Sequence, residues 1–233
     1  MKIVWLALLS RCALAATVTG NVVLVDSDGR APKKRDYSAV VVWLEPVGGS
    51  ARPASSGPKQ ALMNQRNQTF VPHLLAVEVG TAVDFPNSDR IPHNVFSNYD
   101  GQVFDLHLYA PEASRRVVFR RPGIVRVFCN IHENMSAVIA VLSTPYFTVT
   151  GAGGRFEIQA PAGRYRLRFW HEGSRADLLG KLEQQATISD ADVTLTEIRI
   201  ALDGAPDVPH KNKYGQEYSP APEGHVFYPG GRR

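Results

Sequence analysis

Between Thr17 and Leu202 the apolar residues of this chain come in short runs of period two, each closed by Gly, Pro, Asn or Asp. No stretch sustains the 3.6-residue period of an amphipathic helix, whereas alternating runs of four to eight residues are the mark of half-buried strands. Thr17 to Val25 ends at Asp26-Ser27-Asp28-Gly29, and Ser38 to Leu44 is stopped by Pro46. Gln68 to Phe70, Leu75 to Val79 and Thr81 to Phe85 are separated by Pro72 and Gly80. Ser114 to Phe119, Ile124 to Phe128, Ser136 to Leu142, Thr148 to Ile158, Arg164 to Trp170 and Thr194 to Leu202 continue the pattern. The 19 Gly and 16 Pro supply the turns that so many strands need, so the expected fold class is all-β, built as sandwiches.

A length of 233 residues leads us to expect two domains. The Gly-, Pro- and Ser-rich stretch after Val47 places a linker at residues 51–60. At the amino terminus, Lys2, the apolar run Ile3 to Leu9 and the small-x-small sequence Ala13-Leu14-Ala15 read as an export signal over residues 1–15. Arg11 interrupts the apolar region and, standing before Cys12, argues against a lipoprotein signal. Removing residues 1–15 leaves a formal net charge of +2 and Cys129 as the one cysteine. Neither a basic stripe nor an aromatic stacking platform is present, which argues against nucleic-acid binding. No later segment is apolar enough to span a membrane, so the expected location is the periplasm.

A lone thiol in an oxidising compartment has no intramolecular disulfide partner, and its neighbours decide its role. Cys129-Asn130-Ile131-His132-Glu133-Asn134-Met135 offers a thiolate, an imidazole and a thioether within seven residues, between two strand-like runs. Period two puts Val125, Val127 and Cys129 on one face of their strand, with Arg126 and Phe128 on the other. The thiol should therefore point inward at the end of a sandwich. Sulfur donors select soft metals, and a Cys with two His and a long axial Met is the donor set of an electron-transfer copper site. Zinc also accepts Cys and His, but its fourth position usually goes to Cys, His, carboxylate or water rather than Met. The second histidine is not fixed by spacing alone, which leaves His93, His73 and His107 open. Trp170-His171-Glu172 could mark a further metal or partner surface, and His210 and His225 read as surface residues of an irregular tail over 203–233. Catalytic Ser-His-Asp order, phosphate-cradling glycines and paired carboxylates are not evident, so an enzyme is not expected.

The run from Phe70 to Asp89, followed by Pro92-His93-Asn94-Val95, resembles the signature of plastocyanin- and amicyanin-like cupredoxins. The resemblance covers residues 61–144 and implies a Greek-key sandwich holding one type 1 copper ion. It implies His93 as the first ligand, with Cys129, His132 and Met135 completing the set on a short, amicyanin-type loop. It also implies that Asn94 hydrogen-bonds near the cysteine and ties the two ligand loops together. The implied activity is single-electron transfer, with a c-type cytochrome or a periplasmic dehydrogenase as partner, His132 as the electron port and Ile131 and Pro92 as an apolar rim. The chain is similar, too, to larger exported proteins called methylamine-utilisation proteins. Its flanks resemble a carboxypeptidase-regulatory-like, transthyretin-like sandwich, which implies a discontinuous domain made of 16–50 and 145–202 with the cupredoxin inserted. That second sandwich keeps another reading open: a copper carrier, or a cell-envelope binding or scaffolding module.

Overall fold

A computed structural model describes residues 15–32, 35–48, 59–98, 101–203 and 210–218. All but Ala15 of the expected signal, most of the linker, and His225 lie outside the described residues. The chain opens with β1 (Ala15–Val25) and β2 (Val41–Pro46). Ten strands follow: β3 (Gln60–Leu62), β4 (Asn64–Arg66), β5 (Thr69–Val71), β6 (Leu74–Glu78), β7 (Ala82–Pro86), β8 (His93–Ser97), β9 (Phe104–Tyr109), β10 (Ser114–Val118), β11 (Gly123–Phe128) and β12 (Ser136–Leu142). The last elements are β13 (Phe147–Val149), β14 (Arg155–Pro161), β15 (Gly163–Trp170), the short α1 (Ala176–Gly180), β16 (Gln184–Ile188), β17 (Val193–Thr194) and β18 (Ile198–Ala201).

The opening and closing strands share sheets. β1 runs antiparallel to β14 and parallel to β17 and β18, while β2 lies between β13 and β15, with β16 beyond β15. Their alternating faces bury Val18, Val22, Leu24, Val42, Leu44, Phe156, Leu167 and Phe169 in one core. The intervening strands build a second core. β10-β7-β3 faces β6-β12-β11-β8-β9, and Val83, Phe85, Val95, Phe119, Val125, Val127 and Ile139 fill the space between them.

Two strands explain how the cores meet. In β12, Ala137, Ile139 and Val141 enter the second core, whereas Ala140 and Leu142 point the other way. In β2, Val42 and Leu44 enter the first core, whereas Val41 and Trp43 point out of it. Those outward residues form a third apolar cluster together with Leu74, Ala76, Ile124, Phe147 and Trp170. A continuous apolar run such as Ala137 to Leu142 is what a strand covered on both faces requires. Beside this seam, Glu172 accepts from Arg126 at 2.9 Å and meets His73 Nε2 at 2.7 Å.

The structure differs from the sequence reading locally. Asn67 and Gln68 take positive φ, so the run at Gln68 is a turn and β5 starts at Thr69. β9 was not evident in the sequence because its central residues are half-buried or exposed and give no clean alternation. Gly154, at φ +74°, carries the turn before β14, and a Cβ there would meet the Val22 carbonyl oxygen. Gly154→Ala should therefore cost more than about 1 kcal/mol in urea unfolding, because neither the left-handed backbone nor the β1 carbonyl can yield cheaply. A wild-type midpoint would contradict this close approach.

Candidate metal centre

The site forms where β11 and β8 deliver their ends to one mouth of the second core. Cys129 follows β11 directly, and the loop back to β12 is closed by two backbone bonds, Cys129 N to Met135 O at 3.0 Å and Met135 N to His132 O at 3.1 Å. His93 opens β8, whose single ladder pair with β11 is Phe96 with Phe128. Cys129, Met135 and His93 are completely buried, and His132 is half-buried.

Three donor atoms converge. His93 Nδ1 lies 3.1 Å from His132 Nδ1, Cys129 Sγ lies 3.5 Å from His132 Nδ1, and Sγ lies 3.9 Å from His93 Nδ1. A triangle with those edges encloses a point about 2 Å from every corner, which matches first-row metal bonds to imidazole nitrogen and is slightly short for thiolate sulfur. Among the described residues this is the one cluster of three or more His, Cys, Asp or Glu side chains placed to hold a metal ion. Met135 packs beside Cys129 in the same core and, with Ile131, His132, Glu133, Asn134, Gln68 and Tyr218, lines a cleft of about 250 Å³.

The surrounding groups prepare each donor. His93 Nε2 lies 2.7 Å from Asp89 Oδ2, and Asp89 also accepts from the amides of Asn67 and Gln68 at 2.5 and 2.9 Å. A carboxylate there fixes the tautomer, so that Nδ1 turns its lone pair to the triangle. Burial lowers the His93 pKa against the opposing pull of Asp89. Burial and then the neighbouring His93 lower that of His132. Both rings are neutral at pH 7, as donors must be. Burial pushes the Cys129 thiol up, although the backbone amides of Asn94, Ile131 and His132 point at the sulfur and oppose the shift.

Of the sequence-derived residues, His93, Cys129 and His132 come together, and Met135 lies in the same loop. Asn94 does reach the cysteine, but through its backbone amide; its side chain donates instead to Asp105 Oδ1 at 2.7 Å, tying β8 to β9. His73 bonds Ser136 O and Glu172, and His107 is largely exposed beside Asp105, so neither joins the triangle. His171 accepts from the Gly173 amide. His210 is not a surface residue: it is only 8% exposed, its ring stacked on Phe128 at 4.1 Å. Asp89 and the tail residues near Cys129 escaped the sequence reading. Asp89 had one available signal, its position four residues before His93 in a polar turn.

No protein-family model matches the chain. Over 59 residues, 25% of its length, it is 42% identical to methylamine utilization protein MauL of Methylorubrum extorquens. The match spans 52% of that relative, so this chain spans about half the length of the curated protein it resembles. Solved structures give partial superpositions. A purple cupredoxin from Nitrosopumilus maritimus is 24% identical, with 36% of this chain and 99% of that one covered and a TM-score of 0.32. A copper(I) form of an amicyanin mutant is 19% identical, covering 36% and 82%, with a TM-score of 0.34. A copper-containing nitrite reductase from Thermus scotoductus is 25% identical, covering 42% and 25%, also with a TM-score of 0.34.

Asp89→Asn should lower stability by about 1–3 kcal/mol, since an amide replaces a charged acceptor of two backbone N–H groups. Burial raises the Asp89 pKa, but the Gln68 amide, the His93 ring and the Asn67 amide outweigh it and hold the carboxyl below its ordinary value. A depressed folded pKa stabilises above the unfolded value and stops doing so as pH falls through the folded one. Acid titrations of stability should therefore be shallower in Asp89→Asn than in wild type; parallel curves would count against the role given to Asp89. The His93, Cys129 and His132 triangle is thus a candidate metal site at the mouth of a β-sandwich, in a chain that is similar to MauL over 59 residues.

Proposed function

We propose that the protein binds one copper ion through His93 Nδ1, Cys129 Sγ and His132 Nδ1, with Met135 as the weak axial donor, and carries single electrons. The observation that carries this reading is the spacing of the three donor atoms, 3.1, 3.5 and 3.9 Å, held inside a packed core. Bound copper would supply a one-electron couple between its +1 and +2 states. Donors preset on strand ends limit the rearrangement between those states. Burial also supports this reading over its rival. A carrier must hand its ion to another protein, yet Cys129, His93 and Met135 are 0% exposed, and of the three triangle donors His132 alone lines the cleft.

The remaining proposals follow the sequence. Residues 61–144 form the copper-binding domain, inserted between the strands of a sandwich made from 16–50 and 145–202; the joint packing of β1 with β14 and of β2 with β15 supports this. Residues 1–15 direct export to the periplasm. The redox partner, a c-type cytochrome or a dehydrogenase, docks weakly over His132, beside Ile131, which is 38% exposed. Among the described residues no helix is long and apolar enough to cross a membrane.

The copper-loaded full chain should show intense visible absorption from thiolate-to-copper charge transfer, and Cys129→Ser should abolish it. Absorption that survives in Cys129→Ser would sink the site. Reversible cycling with rapid electron exchange supports transfer; release of the ion on reduction supports a carrier. Because burial keeps the Cys129 thiol protonated at neutral pH while both histidines are neutral, metal binding should displace one proton. Between the histidine pKa values and that of the thiol, apparent affinity should then rise roughly tenfold per pH unit, as metal-binding competition assays would read.

A further inference from the structure

The segment from His210 to Tyr218 lies more than sixty residues beyond β12, yet it folds onto the outer face of the strands that present the site. That face carries Phe96 and Phe128, whose rings sit 5.9 Å apart and are almost fully buried although they point away from the second core. His210 covers Phe128, and the Tyr218 ring stands edge-on to His210 at 5.2 Å.

Polar contacts then bracket Cys129. Tyr218 donates its hydroxyl proton to the Cys129 carbonyl at 2.7 Å, and His210 Nδ1 lies 3.0 Å from the same hydroxyl. Lys213 donates its amide to Asn130 Oδ1 at 2.9 Å, gripping the first residue of the ligand loop. Its ammonium meets Asp105 Oδ2 at 2.7 Å, while Asp105 Oδ1 accepts from Asn94, whose own amide points at the Cys129 sulfur. The segment thus touches the cysteine on its carbonyl side and, through Asp105 and Asn94, on its sulfur side.

We propose that His210–Tyr218 is an outlying wall of the metal site, with Tyr218 and Lys213 as positioning residues that hold the Cys129 loop closed and set its redox balance. The proposal rests on the copper reading for its electronic part and on geometry alone for its mechanical part. Mechanically, the Tyr218 bond and the Lys213 amide oppose the local opening that any reagent needs to reach a fully buried sulfur. Electronically, the Lys213 charge neutralises Asp105. Without it, a carboxylate left with only Asn94 and His107 as partners, two hydrogen bonds from the sulfur, would favour the more positive oxidised copper.

The test uses the full chain with Tyr218→Phe, Lys213→Gln and Lys213→Arg. In the metal-free protein, reaction of Cys129 with an aromatic disulfide reagent should accelerate roughly tenfold in Tyr218→Phe and in Lys213→Gln. In the copper-loaded protein, the preference for copper(I) over copper(II) should fall roughly three- to tenfold in Lys213→Gln, lowering the midpoint potential, and should return in Lys213→Arg. Tyr218→Phe keeps the ring and removes only the hydroxyl, so faster thiol reaction with an unchanged unfolding midpoint separates positioning from general stability. Wild-type thiol rates in both Tyr218→Phe and Lys213→Gln would overturn the proposal. If wild type lacked the thiolate-to-copper band, the copper reading would fail while the thiol rates still judged the wall.

Discussion

The structure turns on keeping a thiol and two imidazoles away from water at the mouth of an apolar sandwich. Burying polar groups without partners costs several kcal/mol each, and burying a thiolate costs more. Partners come from backbone held in place by strands. The amides of Asn94, Ile131 and His132 face the Cys129 sulfur, and Asp89, itself bonded by two loop amides, takes the far nitrogen of His93. These partners answer for the outer sides of the donors. On their inner sides Nδ1 of both rings and the sulfur face one another within 3.9 Å. Two neutral imidazole nitrogens at 3.1 Å can share at most one proton, whereas a metal ion would satisfy all three donors at once.

Positions accurate to a few tenths of an ångström need more than a loop. β8 and β11 share one ladder pair, Phe96 with Phe128, directly before Cys129, so little of their own pairing holds these two strands together. What keeps them from moving apart is their neighbours. β12 pairs with β11 over six residues and presses its other face into the Val41, Trp43 and Trp170 cluster, so the wall behind the site is clamped from both sides. On the outer face, His210 over Phe128 does the corresponding work. The first sandwich therefore acts on the candidate metal site at one remove: it backs the sheet from which Cys129 and His93 project.

Much of this was readable from the chain. The period-two runs gave the fold class, and the clustering of Cys129, His132 and Met135 pointed to one end of the candidate site, because both are local patterns. The burial of Cys129 followed from alternation with Val125 and Val127. Phe128 shows the limit of that logic. Alternation correctly turned it away from the second core, but nothing local reveals that His210, eighty-two residues later, covers it. The same holds for Asn94, whose neighbourhood in sequence indicates a contact with the cysteine without saying whether amide or side chain makes it. β9 was missed because half-exposed residues carry no period, and His210 was misjudged because a histidine in a Pro- and Gly-rich stretch looks solvated unless its distant partner is known.

The distribution of exposure around the triangle determines how anything outside can exchange with it. His93 is enclosed by Asp89 and the loop at Asn67, and Cys129 is enclosed by three amides and by the Tyr218 hydroxyl. His132 alone among the three donors reaches the cleft, which Ile131 and Tyr218 flank. An electron can pass along a ring edge without the ring moving, but a metal ion cannot leave unless at least two donors let go. On the copper reading proposed above, the two buried donors are the ones most firmly held, an arrangement suited to passage of charge rather than of the ion. Among the described residues, the half-open His132 is then the donor of the triangle that a proposed partner would approach while both strands stay in place.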